Sequence, residues 1–233
     1  MTAVAIRMGP GAARALSGAG SGAVEIVLDG GGYVRLGGER WVLLAPERSP
    51  LGPLSVVVRG LRPLRPGARV EHTGEALEVG GQQIDLGHAA TPLEPGPAPL
   101  GEGWRAALNA ALAECPAPPL SEELWGGEVE ALAGLGPGLT PAGDDVLAGY
   151  AAWRHADGAP VSLRAERCSP LGRAYLRCAE RGELPDVAAR ALRAVREGDA
   201  RLAAQRARAL GGWGATSGSA MLWGMAAAAG THA

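Results

Sequence analysis

Residues 134–145 read GLGPGLTPAGDD and set four glycines, two prolines and a threonine ahead of two adjacent carboxylates, Asp144 and Asp145. Two chemistries are open to such a stretch. Glycines spaced two apart at Gly134, Gly136 and Gly138 let backbone N–H groups converge on an anion beside a helix N-terminus. Adjacent aspartates offer hard oxygen ligands to Mg²⁺ or another divalent cation. A second stretch, GGWGATSGSAMLWG at 211–224, repeats the arrangement with hydroxyls in place of acids. Asp144 and Asp145 are thus the candidate catalytic and metal-ligating residues. Gly134, Gly136, Gly138, Thr140, Gly143, Thr216, Ser217 and Gly218 are the candidate anion-binding set. Two glycine-rich entrances to two apolar helices point to one shared pocket, with Thr216 and Ser217 facing the Asp144 side. A tight turn and two unrelated helix starts would explain the same spacing.

The elements that position these residues are helices. Thr140 is placed as an N-cap and Pro141 as the first helical residue, where its missing N–H costs nothing. Asp144 and Asp145 then fall in or just after the first turn, where the helix dipole favours negative charge. Projected at about 100° per residue, Val146, Leu147, Tyr150 and Trp153 share one face; Asp144, Ala148, Ala151 and His155 share the opposite stripe. Small residues fill that stripe, so Asp144 is expected to point into a cavity or a neighbouring element. A buried carboxylate needs an Arg, a metal ion or hydrogen-bond donors. Asp145 lies about 100° round the helix, as a second ligand or a dipole cap. His155 stands about three turns along, far from the helix start. The helix after Ser217 carries no charge on any face and belongs inside a bundle.

Around these helices the chain divides. The first ninety residues alternate in short runs, AVEIVLD, YVRLG, ERWVLLAP, SVVVRG, ARVEHTG, EALEVGG and QQIDLG, with Gly30 to Gly32 and Gly80 with Gly81 as hairpin turns. No acid, Cys or His cluster marks catalysis there; His72 and His88 stand alone. The Pro-rich TPLEPGPAPLG, from Thr91 to Gly101, marks a boundary. Beyond it GWRAALNAALAEC, SEELWGGEVEALAG, SPLGRAYLRCAERG, PDVAARALRAVREG and DARLAAQRARALGG have helical periodicity. Ser121 is a candidate N-cap of the second, with Glu122 and Glu123 in its first turn. The expected class is α+β: a β-rich N-terminal domain at 1–92, an antiparallel sheet or barrel, then an α-helical bundle at 93–233 carrying both glycine-rich motifs.

Composition narrows the chemistry. The 233 residues contain no Lys and no Phe, so all 22 basic residues are Arg. Schiff-base lysines, pyridoxal-phosphate anchors and the P-loop lysine are thereby excluded. No GxSxG elbow, HExxH, GxGxxG after a strand or Walker A sequence occurs. A net charge of −2 gives no reason to expect nucleic acid or an anionic membrane as partner. From Ser162 to Gly212 eleven Arg face six Asp or Glu, the pattern of helices with solvated faces. Cys115, Cys168 and Cys178 form no metal spacing and fit a reduced, cytoplasmic protein. Residues 209–233 lack charge, but glycines, Thr216 and Ser217 leave too short an apolar run to span a membrane.

At GLGPGLTPAGDDVLAG and GATSGSAMLWG the chain resembles the AllH family, linked to oxamate carbamoyltransferase. AVEIVLDGGGYVRLGGERWVLLAPERSPLGPLSVVV is similar to that family's β-rich region and LRCAERGELPDVAARAL to its intervening helices. The resemblance implies a cytosolic subunit working with FdrA-like and AllG-like partner proteins, with homo-oligomerisation left open. Together they would move a carbamoyl group between carbamoyl phosphate and oxamate, in the catabolic direction by phosphorolysis of oxalurate. The carry-over falls on Gly136, Gly138, Leu139, Thr140, Pro141, Gly143, Asp144, Asp145, Thr216, Ser217 and Gly218. Ala142 departs from the Ser of the family pattern. Arg173 or Arg177 would clamp a substrate carboxylate, and a divalent cation or an Arg would offset the two acids. Two other readings stay open: a Mg²⁺-dependent nucleotide or phosphate enzyme, and a non-catalytic assembly subunit whose glycines only permit tight helix packing.

Overall fold

A computed structural model describes residues 3–91, 98–120 and 127–230. The chain divides into two compact units, Met1–Glu94 and Pro95–Ala233. The N-terminal β-rich part followed by a helical part is the α+β arrangement expected from the sequence.

The first unit is a closed barrel of β1 (Ala3–Met8), β2 (Gly20–Leu28), β3 (Gly31–Leu36), β4 (Arg40–Pro46), β5 (Ser55–Arg59), β6 (Arg69–His72), β7 (Ala76–Val79) and β8 (Gln82–Asp85). The strands neighbour in the order β1-β5-β4-β3-β2-β6-β7-β8. Most pairings are antiparallel, but closure uses two parallel ones, β1 with β8 and β4 with β5. Closure removes exposed sheet edges. Gly80 and Gly81, both in the left-handed region at φ 56° and 81°, make the β7–β8 hairpin turn that their sequence announces. A short helix, α1 (Pro10–Ala15), joins the core of Val24, Val34, Leu36, Val42, Leu44, Val56, Val58, Val70, Leu77 and Ile84. Neither β1 nor α1 stands out in the sequence, since six residues of AVAIRM are too few to establish a period. His72 is buried, and its Nδ1 lies 3.0 Å from the Gly18 carbonyl oxygen.

The second unit holds α2 (Trp104–Leu112), a single 3₁₀ turn (Val129–Leu132), α3 (Ala142–Ala156), α4 (Pro170–Ala179), α5 (Asp186–Glu197), α6 (Ala200–Gly211) and α7 (Ser217–Ala228). The candidate cap Ser121 with Glu122 and Glu123 lies outside the described residues; of that expected helix, Val129–Leu132 forms the 3₁₀ turn. Local signals set the other ends. The Ser169 hydroxyl caps α4 by accepting from Gly172 N–H, Asp199 caps α6 by accepting from Leu202 N–H, and Gly198 ends α5 at φ 82°. The arginines of α4 to α6 mostly face outward, apart from Arg196. That side chain is buried, donates to Asp157 Oδ1 and the Ala98 carbonyl at 2.6 Å each, and lies over the Trp153 ring.

The two helices that follow the glycine-rich stretches are the centre of this unit. On α3 only Tyr150, Arg154 and His155 escape burial, and α7 buries Gly218 through Leu222 and Gly224 through Ala226. Their backbones approach directly at two glycines. A Cβ on Gly149 would stand 1.9 Å from the Met221 carbonyl oxygen, and one on Gly224 would stand 2.0 Å from that of Val146. Each helix thus contributes one glycine to the crossing, and each glycine admits the other helix's backbone. Among the described residues no helix is long and apolar enough to cross a membrane.

Candidate functional site

The first glycine-rich stretch is fixed by several close approaches to the fold. Gly134, Gly136 and Gly138 adopt φ of 77°, 106° and 103°, a region that side-chain-bearing residues avoid. A Cβ on Gly134 would stand 2.3 Å from the Arg167 carbonyl oxygen, and one on Gly143 would stand 1.9 Å from that of Leu132. Gly138 differs: nothing lies within 4 Å of where its Cβ would be. In the second stretch a Cβ on Gly218 would stand 1.8 Å from the Leu210 carbonyl oxygen. Close packing therefore accounts for Gly134, Gly143 and Gly218 and leaves Gly138 open.

The helix begins one residue later than expected. Pro141 occupies the N-cap of α3, and its carbonyl accepts from the Asp144 and Asp145 N–H groups, so Thr140 lies outside the helix and is not its cap. The proline ring fixes φ near −65° and its observed φ of −51° with ψ of 146° leaves the chain extended into the cap. Freed from capping, the Thr140 hydroxyl lies 3.3 Å from that of Ser217, the first residue of α7. Thr216 holds the N-cap position of α7 but is exposed and makes no side-chain capping bond.

Asp144 and Asp145 are both buried, 1% and 3% exposed, yet their surroundings are opposite. Asp144 faces inward to the fold. Its Oδ1 accepts from Gly134 N–H at 2.7 Å and its Oδ2 from Ser169 N–H at 2.9 Å. One carboxylate thereby ties the glycine loop, α3 and the start of α4 together. Gly172 on α4 makes room for it, since a Cβ there would stand 2.1 Å from Oδ2. The Ser169 hydroxyl extends the tie by donating to the Leu139 carbonyl at 2.8 Å. Burial, with the Asp144 charge beside it, pushes the Cys168 thiol up to about 12, which leaves it a packing residue rather than a nucleophile.

Asp145 faces Thr140 and Ser217. Its Oδ2 is buried with no hydrogen-bond partner. Burial raises its carboxyl to about 7; the Ser217 and Thr140 hydroxyls pull against that rise and the Asp144 charge adds to it. A carboxyl that titrates near neutrality beside two hydroxyls is equipped to give or take a proton. The structure thus brings together Thr140, Asp145 and Ser217 from the two glycine-rich stretches, while Asp144 is engaged with backbone amides.

The remaining expected residues lie elsewhere. Arg173 donates to the Ala165, Glu166 and Cys168 carbonyls, and Arg177 donates to both oxygens of Glu180 at 2.8 Å. Both guanidiniums are engaged in structure around α4. His155 Nδ1 lies 3.2 Å from the Glu180 carbonyl oxygen. Among the described residues no group of three or more His, Cys, Asp or Glu side chains is arranged to hold a metal ion. As partners of Asp144, Ser169 and Gly172 escaped the sequence reading, although a lone glycine inside a helical pattern often has a packing reason.

Residues 132–229, which run from the 3₁₀ turn to the end of α7, match the family model described as oxamate carbamoyltransferase subunit AllH. No curated protein and no solved structure gives a match.

Proposed function

We propose, from the match of residues 132–229 to that family model, that this chain works as an oxamate carbamoyltransferase subunit whose anion site is the Thr140, Asp145 and Ser217 cluster. The observation that carries the reading is that the matched segment contains both glycine-rich stretches and that their hydroxyls meet 3.3 Å apart beside a buried acid. The substrates are small anions: carbamoyl phosphate with oxamate in one direction, phosphate with oxalurate in the other.

In phosphorolysis an oxygen of hydrogenphosphate bonds to the ureido carbonyl carbon and the carbon–nitrogen bond to the oxamate portion breaks. The hydrogen carried by the phosphate ends on the departing nitrogen, so atoms and charge balance without a further reagent. Such a transfer needs positioning, donors for anionic oxygens and a group that relays a proton. Thr140 and Ser217 supply hydroxyl donors, and Asp145 is the titrating group. The repulsion that two carboxylates would exert on an anion is reduced on both counts: Asp144 is bonded to two amides, and Asp145 titrates near 7. FdrA-like and AllG-like subunits complete the assembly.

The test is carbamoyl phosphate formation from oxalurate and phosphate by the chain with both partner proteins. Activity that requires all three, and that falls at least a hundredfold in a Thr140→Ala, Ser217→Ala variant that still assembles, supports the assignment. Full activity in that variant removes this cluster from the reaction.

A further inference from the structure

The glycine loop is secured at its ends and sparsely in between. At its start Gly134 N–H donates to Asp144 and the Leu135 carbonyl accepts from Gly143 N–H; at its end Pro141 caps α3. Gly136 to Leu139 are all exposed, and Gly136 and Gly138 have positive φ. The Leu139 side chain, 46% exposed, gives the loop no apolar anchor. Among the described residues the polar contacts of 136–140 are those of the Leu139 carbonyl with Ser169 and of the Thr140 hydroxyl with Ser217 and Asp145.

Ser169 is itself firmly placed. Its N–H donates to Asp144 Oδ2 at 2.9 Å and its Oγ accepts from Gly172 N–H at 2.9 Å. A serine hydroxyl has one proton to give, and here it goes to the Leu139 carbonyl at 2.8 Å. That carbonyl shares a planar peptide unit with the nitrogen and Cα of Thr140. On the other side Pro141 confines the residue before it to extended conformations. Thr140 is thus bracketed, by Ser169 through the peptide ahead of it and by Pro141 behind.

We propose that Ser169 is a positioning residue of the anion site: by holding the Leu139 carbonyl from α4, its hydroxyl sets the direction in which Thr140 presents its own hydroxyl to the substrate.

The capping of α4 does not require this bond. A cap accepts with a lone pair, so the proton on Oγ serves a second purpose. The bond to Leu139 lies in contact with solvent, where water replaces it at little cost to the fold. Water does not replace the fixed direction, which is what a reacting site depends on.

This inference rests on the anion-site reading above, and a double-mutant cycle separates their failures. In the complex of the chain with its FdrA-like and AllG-like partners, kcat and KM for oxalurate are measured at saturating phosphate. The cycle compares wild type, Ser169→Ala, Thr140→Ala and the double variant at a temperature where all are folded. Ser169→Ala should lower kcat/KM about tenfold or more, and Ser169→Thr, which keeps both the lone pair and the proton, should restore it. On the Thr140→Ala background Ser169→Ala should cost nothing further, because the group it places is gone. Wild-type kcat/KM in Ser169→Ala, or an equal loss on both backgrounds, overturns the positioning role and leaves the site in place. Should loss of the cap unfold Ser169→Ala, Ser169→Asp takes its place in the cycle, since it accepts from Gly172 N–H and has no proton for Leu139. A Thr140→Ala chain as active as wild type, or a wild-type complex without activity, overturns both readings.

Discussion

The two flanks of the first turn of α3 differ more than adjacent residues of one type would suggest. On the Asp144 side every carboxylate oxygen has a backbone amide, a glycine stands where a side chain would collide with it, and a neighbouring thiol is driven out of its reactive range. On the Asp145 side an oxygen has no partner, hydroxyls replace amides, and the carboxyl titrates near neutrality. The difference teaches that a buried acid is made structural by donors already aligned within the fold, and is left available for chemistry where such donors are missing.

The largest expected effect breaks the structural flank. Asp144→Ala strands the Gly134 and Ser169 N–H groups, each now bonded to a charged acceptor, and should cost about 4 kcal/mol in urea unfolding. Restoring the partner with Asp144→Asn should recover only part, because its amide group faces one N–H with another donor. A loss below about 1 kcal/mol would mean that the two amides find other acceptors and that the flanks are alike. The glycines come next. Gly149→Ala drives a methyl against the Met221 carbonyl oxygen, 1.9 Å from the ideal Cβ, and should cost about 3 kcal/mol by separating α3 from α7. Since Ser217 sits on α7, the same variant should also weaken oxamate binding, whereas Asp144→Ala measured below its melting temperature should act through stability.

A third variant reverses the sign. The Asp145 carboxyl titrates near 7 when folded against 3.8 unfolded, so the folded state holds the proton more tightly between those values. Wild-type stability should therefore fall as pH rises from about 4 to about 7 and be level above. Asp145→Asn removes that slope and should be more stable than wild type by about 2 kcal/mol at pH 8, measured by denaturant unfolding across pH. A destabilised Asp145→Asn would show that the ionised form is held by donors, as on the Asp144 flank.

Much of the architecture was legible in the sequence. Strand runs bounded by glycines, the Pro-rich break after residue 90, and helices opened by Ser169 or Asp199 carry their own local signals. The choice between an open sheet and a closed barrel was not, because pairing β1 with β8 joins Ala3 to Ile84 and no local period encodes so distant a contact. The arrangement of the candidate residues was half legible. The sequence marks both acids and both hydroxyl-bearing stretches, and it points Thr216 and Ser217 at Asp144; the structure has Ser217 beside Asp145 and Thr216 exposed. An amphipathic stripe tells which residues share a face, not which neighbour the face meets, and α3 is buried nearly all round. The amide that settles Asp144's role comes from Ser169, twenty-five residues away.

The smallest effect separates the glycines themselves. Gly134 and Gly138 share a left-handed backbone, at φ 77° and 103°, but only Gly134 is hemmed in by a carbonyl oxygen. Gly138→Ala meets nothing and should cost only the conformational penalty of a side chain at positive φ, about 1 kcal/mol. Gly134→Ala adds a collision with the Arg167 carbonyl to the same penalty and displaces the amide that holds Asp144, so it should cost at least twice as much. If ligand approaches the exposed loop, Gly138→Ala should lower oxamate affinity severalfold while leaving unfolding nearly unchanged, a split that a purely packing role for these glycines does not produce. Equal stability losses at the two positions, with binding untouched, would instead assign the whole stretch to packing and leave Asp145, Thr140 and Ser217 as the site without it.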